Sequence, residues 1–184
     1  LALRGRLQSG KGGLELAPGA QLPIPDTLRD AVLLRLDGLP ETALRLLELA
    51  AVAGPACDLE LIEGLAGGIY GFEMLVERGL LDESAPGRAS FRHALTREAI
   101  YTDIAWARRR TLHRQLAEGL EAKGLPPQAV AEHWLAARDP ERARDALLRA
   151  ARASCAIHAY RDAAGAARQF SRCLPMPLLS RTEP

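Results

Sequence analysis

Residues 90–101 read Ser90-Phe91-Arg92-His93-Ala94-Leu95-Thr96-Arg97-Glu98-Ala99-Ile100-Tyr101. The pattern changes inside this stretch. Ala89 to Arg92 reads as an extended piece with one apolar residue, Phe91, turned outward, and from Ala94 the apolar residues fall at helix spacing. His93 stands at the hinge. A side chain there lies beside unpaired N–H groups and the positive end of a helix dipole, a place suited to an anion.

Upstream, Leu80-Leu81-Asp82-Glu83 and Ala89-Ser90-Phe91-Arg92 flank Ser84-Ala85-Pro86-Gly87-Arg88, which predicts a strand, a turn and a strand. Four helices are expected before it. Behind the rigid Pro23 to Pro25, Asp26 or Thr27 caps the first, with Asp30 at capping-box spacing from Thr27. Its stripe is Leu28, Ala31, Val32, Leu36 and Leu39, and Gly38 with Pro40 ends it. The second, Glu41 to Ala53, is apolar on most sides, as the centre of a small bundle is. Gly54-Pro55 breaks it. A short helix follows from Asp58 to Leu65, then another from Tyr70 to Arg78 with Phe72, Leu75 and Val76 inward and Gly79 as its stop. Helices followed by a small hairpin wing describe a winged-helix domain, residues 26–93.

The first 25 residues predict a short β-hairpin with strands near Leu7 and Leu14. Gly5-Arg6-Leu7-Gln8-Ser9-Gly10-Lys11-Gly12 is one residue short of a phosphate-binding P-loop, because Gly12 stands where Ser or Thr would hold magnesium. No helix pattern follows it, so the hairpin reading is better.

From Ala94 everything reads helical, with segments near 94–105, 108–123, 127–137, 140–153 and 156–174. Asp139-Pro140-Glu141 is a clean start signal. Ala163, the bulky Phe170 and the closing Pro175 have tetratricopeptide-like spacing, so residues 94–184 are expected to be a TPR-like helical-repeat region. The chain as a whole is expected to be mainly α.

Composition agrees. The 184 residues are 48% hydrophobic and 26% charged, ordinary for a globular chain, and rich in the helix formers Ala, Leu and Arg. No apolar run is long enough for a membrane span, and no signal-peptide pattern opens the chain. Starting at Leu1, it is expected to be a piece of something longer. Cys57, Cys155 and Cys173 match neither a disulfide framework nor a zinc pattern, which fits a reducing cytoplasm. The net charge of +1 hides an asymmetry: Asp26 to Arg92 holds six arginines against twelve acids, −6, while His93 to Pro184 holds fifteen bases against ten acids, +5. The first block should repel a polyanion.

Residues 25–175 resemble the stretch downstream of the NTPase core in STAND-type regulators, especially the large LuxR-type ATP-binding proteins. The resemblance rests on Pro25 to Asp37, Leu46 to Gly54, Phe91 to Tyr101, Arg108 to Ala117 and Ala131 to Ala137, in that order. It implies that residues 1–25 are the tail of a preceding NTPase module. It also implies that the winged helix packs on that core and stabilises the ADP-bound resting form, while the helical array receives a protein or small-molecule inducer. ATP or ADP with magnesium would belong to the parent protein and not to this fragment. In relatives a histidine at the wing-to-helix junction contacts the nucleotide within a Met-His-Asp motif. His93 occupies that place, with Arg92 where Met would be and Ala94 where Asp would be.

For His93 the alternatives are a nucleotide-phosphate sensor and a helix-capping or packing histidine. The only basic cluster is Arg97, Arg108, Arg109, Arg110 and Arg114, which reads either as a site for nucleic acid or an acidic partner, or as solvated helix faces. A DNA-reading helix would be Tyr70 to Arg78, yet it carries Glu73 and Glu77 against one Arg78. DNA binding through this fragment is therefore not expected. A self-standing DNA-binding winged-helix regulator with a helical dimerisation region is the alternative. A third reading is a scaffold segment of a multidomain enzyme with a STAND module. Cys155 with His158 supplies too few ligands for a metal; His113 and His133 read as packing residues, and Trp106 and Trp134 as anchors between helices. With no Gly-x-Ser-x-Gly, no paired catalytic carboxylates and no intact P-loop, no enzyme activity is expected.

Overall fold

A computed structural model describes residues 7–10, 13–16, 28–68 and 71–173. The expected cap at Asp26 or Thr27, the Pro23–Pro25 lead-in, Lys11-Gly12, Tyr70 and Pro175 lie outside these residues. The protein is mainly helical, with a small three-stranded antiparallel sheet. It falls into two compact units divided between Ala105 and Trp106.

In the first unit β1 (Leu7–Gly10) pairs antiparallel with β2 (Gly13–Leu16), the hairpin expected there. Helix α1 (Leu28–Leu34) stops before Gly38, where it was expected to end. The N–H groups of Arg35 and Leu36 reach back only to the carbonyls of Val32 and Leu33, at 2.9 and 3.0 Å, tightening the chain into turns. Helix α2 (Glu41–Ala53) holds the centre, with Leu46, Leu49, Ala50 and Ala51 wholly buried.

The strand β3 (Ala56–Asp58) was not expected. Its three residues are too few to show a period, and pairing makes it a strand: Cys57 lies opposite Ala89 of β5 (Arg88–Phe91). Asp58 then caps α3 (Leu59–Ala66), its carboxylate accepting the Leu61 N–H at 2.8 Å. Helix α4 (Phe72–Glu77) closes through left-handed Gly79, with the N–H of Leu80 on the carbonyl of Leu75 at 2.9 Å. The chain runs into β4 (Leu81–Ala85), and the sheet order is β3-β5-β4. Phe91, expected to point outward, pairs with buried Leu81 and shares the face of buried Ala89. Cross-strand partners and alternate residues of a strand lie on one face.

Helix α5 (Ala94–Asp103) follows the expected boundary at His93 and falls in the first compact unit. It packs on α1 and α2, held by an Arg29–Asp103 ion pair and by the Arg97 Nε–H on the Ala51 carbonyl at 2.9 Å. The second unit therefore begins at Trp106.

That unit stacks α6 (Trp106–Ala122), α7 (Pro127–Ala136), α8 (Pro140–Ala156) and α9 (Tyr160–Arg172), each packed on the next. Asp139 caps α8 with Pro140 behind it, the start expected there. Trp134 is wholly buried among Ala131, Ala143, Ala146 and Leu147, as an anchor should be. Trp106 is not: it is 57% exposed, its ring faced by Arg110. One turn recurs between the helices. Gly124, Arg138 and His158 take φ of 63°, 59° and 60°. The N–H groups of Leu125, Asp139 and Ala159 then close on the carbonyls of Leu120, Trp134 and Ser154, at 2.9, 3.0 and 2.8 Å. Among the described residues no helix is long and apolar enough to cross a membrane.

Two substitutions test this packing with opposite signs. Arg138→Gly removes a side chain from a left-handed position and should stabilise the second unit by roughly 1 kcal/mol. Gly71→Ala puts a Cβ 2.9 Å from the Ala43 Cα and should prise α4 from α2. The loss should be about 1–3 kcal/mol. Urea unfolding followed by circular dichroism reads both, and a loss for the first or no change for the second contradicts the packing described.

Candidate functional site

The junction of β5 and α5 builds one wall of a concavity. His93 keeps an extended backbone (φ −136°, ψ 131°), and its carbonyl accepts the N–H groups of Thr96 and Arg97 at 3.0 and 3.4 Å, which starts the helix. Its ring makes no capping hydrogen bond and is exposed. His93 is thus the N-cap residue of α5 through its backbone alone, and its ring is left out of the core. His93 lines a cavity of about 580 Å³ with Arg92, Ala94, Leu95 and Thr96, with Ala31 and Val32 from α1, and with Arg35 from the turn that follows.

Each cationic neighbour is held in place. Arg92 grips Asp82 through two hydrogen bonds of 3.0 and 2.7 Å, across the strand pair that ends at the hinge. Those hydrogen bonds hold the Asp82 carboxyl below its usual range. The turn that carries Arg35 is clamped from α4, where the Arg78 guanidinium donates to the carbonyls of Arg35 and Asp37, both at 2.7 Å. The result is an apolar floor of Ala31, Val32, Ala94 and Leu95 rimmed by Arg35, Arg92 and His93; among the described residues no carboxylate lines it, while Asp82 pairs with Arg92 beside it. Such a cavity can take a group with an anionic end and an apolar body, since guanidinium donors form the stronger, charge-assisted hydrogen bonds. The other side of α1 has the opposite sign: Leu33, Leu34, Leu36 and Leu44 line a concavity of about 510 Å³ rimmed by Asp30, Asp37 and Asp103.

The arginines that cluster in sequence are divided between the two units. Arg97 belongs to the first unit, where it holds the Ala51 carbonyl and lies over the Tyr101 ring at 5.6 Å. The other four stand on α6. Arg110 is committed to the Ala137 carbonyl at 3.2 Å and to the Trp106 ring at 4.8 Å. Arg108 and Arg114 are exposed and Arg109 is half-buried.

His113 and His133, expected to be packing residues, meet each other: Nδ1 to Nδ1 is 2.8 Å. Cys155 and His158 are both exposed, and His158 packs edge-on to Tyr160. Among the described residues no group of three or more His, Cys, Asp or Glu is placed to hold a metal. All three cysteines are free thiols. Burial pushes the Cys57 thiol up to about 11, so it stays protonated and unreactive.

Sequence reasoning named His93 and did not name Arg35, which lies far from it along the chain. Its four-residue spacing from Ala31, just past the end of α1, was the available sign that the two come close. Comparison with protein-family models, curated proteins and solved structures gives no match for this chain.

The two kinds of arginine should behave differently on truncation. Arg97→Ala leaves the Ala51 carbonyl without its donor and should cost roughly 1–3 kcal/mol. Arg114→Ala, on an exposed helix face, should stay within about 0.5 kcal/mol. Urea midpoints compare them, and equal effects would contradict the structural role given to Arg97.

Proposed function

We propose that this chain is a non-catalytic regulatory and interaction segment of a signal-responsive STAND-type ATPase that acts as a transcription regulator. In this reading the first unit is a winged helix that packs on the NTPase core of the same polypeptide. The second is a TPR-like array that receives a protein or small-molecule inducer. His93 meets the phosphate of ADP held by the parent's core.

The observation that carries the reading is the exposed His93 ring at the start of α5, beside Arg35 and Arg92 on one cavity. Arg92 stands where relatives carry Met and is paired with Asp82, which leaves Arg35 and His93 as the groups to meet an anion. Element order supports the winged helix: helix α2, strand β3, helices α3 and α4, then the hairpin β4–β5 as wing. The side-by-side stacking of α6 to α9 supports a repeat array. The DNA-binding alternative is disfavoured by α4, whose Arg78 is turned back onto the carbonyls of Arg35 and Asp37 while Glu73 and Glu77 are exposed. Phosphate contacts supply most of the affinity for DNA, and this helix offers charge of the wrong sign.

In the full-length parent, His93→Ala should speed ADP release about tenfold, the factor that one charged hydrogen bond of roughly 1.4 kcal/mol represents. Unchanged release removes His93 from the mechanism. The 184-residue chain should give no electrophoretic shift with random duplex DNA at low salt. A shift that weakens steeply as salt rises would favour the self-standing DNA-binding regulator instead.

A further inference from the structure

The seam between α6 and α7 holds a pair of histidines that the reading above does not use. His113 is 8% exposed, and its Nδ1 lies 2.8 Å from the Nδ1 of half-buried His133, with ring centroids 5.1 Å apart. A nitrogen–nitrogen contact this short needs one proton between the two atoms: one ring donates N–H and the other accepts through a lone pair. The pair can be neutral, or carry one positive charge with the imidazolium as donor. It cannot be doubly protonated, because two N–H groups would then face each other across the same gap.

We propose that His113 and His133 form an acid-operated latch on the α6–α7 seam, shut with one proton between the rings and opened when both rings are protonated. The surroundings favour the uncharged form. Burial pulls His133 below its ordinary value, and Glu132, its neighbour on α7, opposes this only in part. Glu132 itself accepts a hydrogen bond from Gln128 at 3.1 Å. On α6, Arg109 stands one turn before His113, and Arg110 reaches the Ala137 carbonyl beyond the end of α7. From α8, Arg142 lies over the Trp134 ring at 4.6 Å, while Ala143, Ala146 and Leu147 bury only apolar surface. Arg142 is itself paired with Glu118 of α6 at 3.5 Å, so burial carries the cost of a second proton.

The sign follows from linkage. A histidine whose folded value is depressed binds fewer protons folded than unfolded. Its stabilising contribution is complete above the unfolded value of about 6.5 and is lost as pH falls below it. The seam should therefore loosen between about pH 7.5 and pH 5.5, above the range where ordinary carboxylates titrate.

The test is hydrogen exchange on the whole chain at those two pH values, corrected for intrinsic rates. Amides of α6 and α7 should lose protection about tenfold on acidification, the factor that one pKa unit represents. Amides of α2 should not follow. His133→Asn supplies an amide that can donate to or accept from His113 in either of its states, so protection should become independent of pH across this window. Should that variant fail to fold, the imidazole proton signals of the parent chain decide. The latch requires two separated titration steps, at least one of them below about 6.5. Two independent titrations near the ordinary value, or protection that does not change with pH, overturn it.

Discussion

A helix that is apolar on nearly every side has to be wrapped, and that requirement organises the first unit. Leu46, Leu49, Ala50 and Ala51 of α2 are wholly buried, which no single neighbour could achieve. Helices α3, α4 and α5 and the strand β3 all lie against it. Each large buried side chain is worth roughly 1.5–3 kcal/mol relative to exposure, so α2 sets where its neighbours can sit. Small residues set how close they come. The approach of Gly71 to the Ala43 Cα leaves no room for a Cβ, and α4 enters the hairpin at the height this contact allows.

The cavity at His93 follows from that wrapping. Arg97 fixes α5 to the end of α2 through the Ala51 carbonyl, a favourable place for a cation at a helix C-terminus. Arg29 and Asp103 tie α1 to the far end of α5, and Arg78 clamps the turn after α1. With both walls fixed, Arg35 and His93 are brought to one cavity although α2, α3, α4 and the sheet separate them in sequence. The cationic rim of the cavity is therefore a tertiary property, built from charges that no local motif contains.

This explains what could be read from the sequence and what could not. The all-round apolar Glu41 to Ala53, the Asp139-Pro140 start and the Gly79 stop each carry their reason within a few residues, and the corresponding elements lie where they were expected. The strand β3 could not be seen, because Ala56-Cys57-Asp58 is a strand only through its pairing with β5. Helical periodicity continues past Ala94 without a break, and only packing places α5, beyond the expected boundary at His93, in the first compact unit. Arg138 and His158 hide turns that glycine would have announced. His113 and His133 gave no sign of meeting, since they lie twenty positions apart on two helices separated by the turn at Gly124.

In the proposed function the first unit is a lever whose exposed cavity is covered when a nucleotide-holding core docks on it. Hydrogen–deuterium exchange on the full-length parent, loaded with ADP and compared with the isolated chain, tests this most directly. Residues 31–35 and 92–96 should exchange more slowly in the ADP-loaded parent, with α8 and α9 unaffected. Equal exchange at those two segments in both proteins would contradict it.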